Sequence, residues 1–107
     1  MYAYFAIDPA FKKQIHHRAL IEVEYFDSDK GELLRIQYDS FDRTGKKDGA
    51  YTESKDRLIM DGSQTWRVAT FQLEDARFEG RQNGDADFRV AVGGNRFYLG
   101  KVAVKPF

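Results

Sequence analysis

Polar and apolar residues alternate with a period of two along most of this chain, which is the signature of half-buried β-strands. The clearest case is Arg18–Phe26, where Ala19, Ile21, Val23 and Tyr25 fall on one face and Leu20, Glu22, Glu24 and Phe26 on the other. The two glutamates make that second face the wetter one. Glu32–Asp39 repeats the pattern, with Leu34, Ile36 and Tyr38 inward and Arg35, Gln37 and Asp39 outward. Between them Asp27-Ser28-Asp29-Lys30-Gly31 carries the residues of a turn, so the two segments are predicted to pair as a β-hairpin. Tyr2–Ile7 is aromatic and apolar with little alternation, which predicts a strand covered on both faces and ended by Asp8-Pro9. Ala10–Gln14 can form one helical turn anchored by Phe11.

The second half is less regular. Ser40–Gly49 is the most polar stretch and predicts a long loop, and Ala50–Met60 resumes a weak extended pattern. Thr65–Leu73 is a strand of awkward parity: Trp66 and Val68 share one face, Phe71 and Leu73 the other. Burying all four predicts a one-residue bulge near Ala69, with Trp66 in the core. Glu74–Asp85 reads as an irregular crossing. Ala86–Val92 alternates again, with Phe88, Val90 and Val92 inward and Asp87, Arg89 and Ala91 outward. Gly93-Gly94-Asn95 signals a hairpin turn into a last strand, Arg96–Val104, with Tyr98, Val102 and Val104 inward. About seven strands, turns at roughly ten-residue spacing and no long helix predict an all-β fold, an antiparallel β-sandwich or jelly roll. No Cys…Trp…Cys framework supports the immunoglobulin variant.

Composition narrows the function. The 107 residues suit one domain, and nine Phe, six Tyr and one Trp favour strands. Seventeen basic side chains balance seventeen acidic ones, so the chain lacks the basic surface that nucleic-acid binding requires. Without cysteine there is no thiol catalysis, disulfide or Cys-rich metal site. No apolar run approaches the ~20 residues of a membrane helix. The opening Met-Tyr-Ala-Tyr-Phe-Ala-Ile runs straight into a strand pattern, which suggests a Met added to a domain excised from a larger protein.

Catalytic constellations are not evident. His16 and His17 are adjacent and point apart in an extended chain, so one metal ion cannot easily use both. Asp27-x-Asp29-x-Gly31 resembles the start of a calcium loop, but Tyr38 stands where the bidentate Glu is needed. Glu22/Glu24 and Glu74/Asp75 lack a context that would isolate a catalytic pair, and there is no nucleophile elbow or phosphate loop. What stands out is a concentration of planar polar groups near aromatics: Asp75, Arg77, Arg81, Gln82, Asn83, Asp87 and Arg89. Asp75, Arg77 and Asp87 are predicted to fasten the crossing, whose backbone needs partners. Arg81 and Asn83 are equally placed for fastening or for a ligand.

The run Val23-Glu24-Tyr25-Phe26-Asp27 with Ile36-Gln37-Tyr38-Asp39-Ser40 carries one half of a family resemblance. The other half is Thr65-Trp66-Arg67, Asp75-Ala76-Arg77-Phe78, Arg81-Gln82-Asn83-Gly84 and Ala86-Asp87-Phe88-Arg89. Over about Tyr4–Val104 the chain resembles the galactose-binding-like β-sandwich domains appended to bacterial polysaccharide-degrading enzymes. The resemblance implies a jelly-roll carbohydrate-binding module or accessory domain of a secreted or cell-surface glycoside hydrolase or polysaccharide lyase. Many such modules carry one structural calcium and need no other cofactor. Their partners are a polysaccharide or oligosaccharide and the attached catalytic domain, with no nucleic acid and no membrane.

The expected ligand-binding residues are Arg35, Gln37, Tyr51, Arg67, Arg81, Asn83 and Arg89, with Phe41 and Phe78 as further stacking candidates near loops. The sequence therefore predicts a non-catalytic module that targets an enzyme to a polysaccharide. The alternative is an accessory β-sandwich that packs on a catalytic domain without binding sugar.

Overall fold

The computed structural model describes all residues of the chain except Asn95 and the side chain of Lys46. The elements run β1 (Tyr2–Phe5), α1 (Pro9–Lys12), β2 (Ala19–Phe26), β3 (Leu33–Tyr38), β4 (Thr52–Ile59), β5 (Trp66–Leu73), β6 (Phe88–Val92) and β7 (Leu99–Pro106). Single 3-10 turns occupy Lys46–Gly49 and Asn83–Asp85. The strands form two antiparallel sheets, one ordered β1-β6-β3-β4 and the other β5-β2-β7. The all-β prediction therefore holds, with a sandwich-like core between the sheets.

The alternation in β2 and β3 sets that core. Ile21, Val23 and Tyr25 from β2 meet Leu34, Ile36 and Tyr38 from β3, together with Phe71 and Leu73 from β5 and Phe88 and Val90 from β6. The hairpin prediction for β2 and β3 is overturned, because the two strands lie in different sheets. A tight turn and two amphipathic strands are equally compatible with a hairpin and with an arch between sheets. Here both apolar faces point at each other across the core. In a hairpin they would lie side by side on one face. Strands β6 and β7 also lie in different sheets, so Gly93-Gly94 does not open a hairpin, and Asn95 is outside the described residues.

Strand β5 corrects the reading of Trp66. Its register against β2 runs unbroken from Phe26↔Trp66 to Ala19↔Leu73, with no bulge at Ala69. Ala69, Phe71 and Leu73 are buried, while Trp66 is 53% and Val68 60% exposed. The period of two prevailed over the demand to bury every large apolar side chain. Trp66 rests edge-on against Phe26, with ring centroids 5.6 Å apart. Trp66→Ala is accordingly expected to cost only about 1 kcal/mol in a urea titration, the scale of an edge-to-face pair rather than of a core deletion.

Three other expectations change. Strand β1 is not covered on both faces, since Tyr2 and Tyr4 are exposed. Tyr98 precedes β7 and is exposed, with Phe26 at its ring edge. Asp87 and Ala91, predicted outward, are both buried. Register shifts lie elsewhere: Val23 pairs Val102 and Tyr25 pairs Leu99, so two β7 residues, Gly100 among them, face Glu24 alone, and Arg35 pairs Arg57 and Gln37 pairs Glu53, so three β4 residues face Ile36 alone. The second shift is the β3–β4 bulge. The hydroxyl of Ser54 in that bulge accepts the Ile36 N–H at 3.3 Å and donates to the Asp56 carbonyl at 2.8 Å.

Candidate functional site

Three fully buried aspartates hold the connections between sheets. Asp27, just past β2, accepts the N–H groups of Asp61 and Gly62 on one oxygen, and the N–H and hydroxyl of Ser63 on the other. The Ser63 hydroxyl and these backbone donors hold its carboxyl down at about 2. Both oxygens are filled by donors, which is the opposite of what a cation site needs. Asp39, just past β3, accepts from the Glu79 N–H at 2.8 Å and from Arg81 Nε at 2.7 Å. Asp87, just before β6, accepts from the Ile7 N–H at 2.7 Å, the Gly80 N–H at 2.9 Å and Lys12 Nζ at 2.8 Å.

The crossing from β5 to β6 is thus fastened much as its composition suggested. Tyr38 donates its hydroxyl to Asp75, and burial together with that carboxylate pushes the phenol's pKa up. Arg77 pairs with Glu79 at 2.9 Å. Phe78, a stacking candidate by sequence, is buried beside Phe88 and belongs to the core. Phe41 is exposed, against the ring of His17.

Arg81 also fastens the crossing. Besides Asp39, its Nη2 donates to the carbonyls of Ser40 and Asp48, both at 3.0 Å, so it clamps the Ser40–Gly49 loop. The loop is tight at Gly49, whose φ is +88° and where a Cβ would lie 2.4 Å from the Asp42 carbonyl oxygen. Gln82 completes the clamp. Its buried amide donates to the carbonyls of Gln37 at 3.0 Å and Ala50 at 2.8 Å, which sets Tyr51 beside β3. Arg67 lies apart on β5, donating to Asp61 at 2.9 Å.

The fold brings four of the predicted residues together on the outer face of the four-stranded sheet. Register places Tyr4, Arg89, Gln37 and Glu53 in one row across β1, β6, β3 and β4. Arg89 is the centre. Its Nε donates to Gln37 Oε1 at 2.5 Å and its Nη1 to the Tyr4 hydroxyl at 2.7 Å. Its guanidinium carbon lies 3.8 Å from the Tyr2 ring centroid and 4.3 Å from that of Tyr51. The Asn83 N–H donates to the Tyr51 hydroxyl at 2.8 Å, and Lys47 Nζ stands 5.5 Å from the Tyr51 ring. Arg89's hydrogen bond is the main cause of a lowered Tyr4 pKa. Arg35 lies one row away on the same face, paired with Glu53 at 2.7 Å.

Sequence reasoning missed Tyr2 and Tyr4, because an aromatic run without polar alternation reads as core. Their spacing of two was the available signal, since it puts both rings on one face. Lys47 did not stand out, since it lies within the polar Ser40–Gly49 loop.

Two other surfaces are notable. A cleft of about 440 Å³ lies among Tyr38, Glu53, Asp56, Glu74 and Asp75. On the outer face of the three-stranded sheet, Trp66, Phe26 and Tyr98 form an aromatic patch edged by Gln64 and Arg96. Among the described residues no three His, Asp or Glu side chains converge as a metal site.

Comparison with protein-family models, with curated proteins and with solved structures found no match to this chain.

Proposed function

We propose that this chain is a non-catalytic carbohydrate-binding module of the galactose-binding-like, jelly-roll type, serving a secreted or cell-surface bacterial enzyme that degrades polysaccharides. One observation carries the reading: the platform of exposed Tyr2 and Tyr4 and half-buried Tyr51 around Arg89, with Gln37 and Asn83 at its margin. Tyrosine faces stack on the C–H face of a pyranose ring. Guanidinium and amide groups match pairs of hydroxyls, and both kinds of group are held in place before a ligand arrives. Arg35 extends the polar surface along β3, whereas Arg67 and Arg81 serve the fold. In this reading a calcium ion, if the module uses one, sits away from Asp27.

Binding to such an open face is shallow, on the order of micromolar to millimolar. The test is affinity electrophoresis against a panel of soluble neutral and acidic polysaccharides. At least one polymer is expected to retard the protein, and Tyr51→Ala is expected to abolish most of that retardation at a cost of only about 1 kcal/mol in stability, the scale of its hydrogen bond from Asn83. Unchanged mobility on every polymer would overturn the reading.

The Trp66–Phe26–Tyr98 patch favours a second reading, an accessory domain that packs on a catalytic neighbour through the three-stranded sheet. In that case Trp66→Ala alters association with the neighbouring domain and leaves glycan retardation untouched.

A further inference from the structure

We propose that the Arg89 platform recognises a carboxylate on the sugar, so that the ligand class is an acidic polysaccharide built from uronic acid residues. This rests on the glycan-binding reading of the same face and adds the chemistry it selects.

Charge pairing makes the case. Arg35, Arg43, Arg57, Arg67, Arg77, Arg81 and Arg96 each have a carboxylate oxygen within 4.0 Å. Among the described residues no carboxylate comes that close to Arg89 or to Arg18, and Arg18 lies away from the platform, 4.2 Å from the Phe107 ring centroid. Its two bonded donors go to neutral oxygens, Gln37 Oε1 and the Tyr4 hydroxyl, and no protein acceptor engages Nη2 among the described residues. The guanidinium is nevertheless half-buried among tyrosines, where a charge is less screened and an anionic partner is worth more than at an open surface.

A shallow recess of about 140 Å³ lies beside it, lined by Lys47, Tyr51, Asn83 and Arg89. Two of these four residues are cations and none is an acid. Among the described residues neither Arg89 nor Lys47 has a carboxylate oxygen within 4.0 Å, and Glu53, the acid in the same row, is engaged by Arg35 and Arg57.

The surroundings limit how dense the ligand's charge can be. Glu53 stands in the same row next to Gln37, and beyond it lies the cleft where Asp42, Asp56, Glu74 and Asp75 outnumber a single cation, Lys55. A densely charged polyanion such as a nucleic acid or a heavily sulfated chain would meet these carboxylates. A uronate polymer carries one carboxylate per ring, so it can place that group at Arg89 and Lys47 and present hydroxyls elsewhere. The ring carbons then lie against a tyrosine, and the carboxylate takes the free edge of the guanidinium.

The experiment compares matched polymers in affinity gels: polygalacturonate, alginate and glucuronan, each beside its carboxyl-reduced neutral counterpart. At least one uronate is expected to retard the protein about tenfold more strongly than its neutral counterpart. The advantage should shrink as salt is raised. Arg89→Gln is expected to remove most of that difference. Lys47→Gln keeps the backbone of its turn and changes only an exposed side chain, so it is expected to reduce that difference with the unfolding midpoint nearly unchanged.

Retardation by neutral polymers equal to that by the acids, or by neutral polymers alone, overturns the uronate inference and leaves glycan binding standing. Retardation by no polymer overturns both. Uronate binding that neither variant changes places the site elsewhere and overturns the assignment to Arg89.

Discussion

Asp87→Ala is expected to destabilise the protein by roughly 3–5 kcal/mol, the scale on which a buried charged hydrogen-bond network is broken. The side chain is fully buried and serves three donors from three parts of the chain. Oδ2 accepts the Ile7 N–H after β1, while Oδ1 accepts the Gly80 N–H of the crossing and Lys12 Nζ at the end of α1. Alanine leaves two backbone N–H groups without their acceptor at a fully buried position and removes the partner of the Lys12 ammonium. The backbone of Asp87 already ties Phe5 to Asp39, so local collapse is resisted on both sides. Asp87→Asn keeps one acceptor oxygen and is expected to recover part of the loss. Urea unfolding checks this through the midpoint at unchanged slope. A loss under about 1 kcal/mol would mean that these donors find other partners.

Arg81→Ala is expected to cost about 3 kcal/mol, through Asp39. Asp39 is fully buried, and the guanidinium is its one cationic partner among the described residues. Removing the arginine leaves a buried carboxylate with only the Glu79 and Arg81 N–H groups as donors. It also frees the carbonyls of Ser40 and Asp48. The loss belongs to the pair, so a cycle with Asp39→Ala is expected to show a coupling energy of about 1 kcal/mol or more. An additive result would show that Arg81 acts on the loop alone. The same variant separates roles on the surface. Arg81 fastens the loop, so its removal shows first as lost stability, whereas Arg89→Gln shows first as lost binding.

The strands were legible because period-two alternation needs only local information. Ala19, Ile21, Val23 and Tyr25 are buried as their spacing required, and so are Leu34, Ile36 and Tyr38. The crossing was legible for a related reason: Asp87 and Asp75 sit where an irregular backbone needs acceptors and anchors. Trp66 misled because burial was argued from its size, while a continuous β2–β5 register allowed only one face of the strand inside.

The candidate site was legible in fragments. Gln37, Tyr51, Asn83 and Arg89 stood out as polar or aromatic residues near outward faces, but so did Arg67 and Arg81. Their fates differ by partner. Arg81 has Asp39 and Arg67 has Asp61, while Arg89 has tyrosine rings. Partner identity depends on which strands are neighbours, and β1 reaches β6 from the far end of the chain.

The sequence by itself determined the strand content, the inward residues of most strands, the absence of cysteine chemistry and the zero net charge, because each follows from residue type and local spacing. Only the tertiary structure decided which strands share a sheet, and with that which arginine became a fastener and which was left facing outward. Long-range pairing is settled by how whole faces pack against each other, and that is not written at any single position. Tyr4 and Arg89 are 85 residues apart in the chain, and one antiparallel register places them side by side.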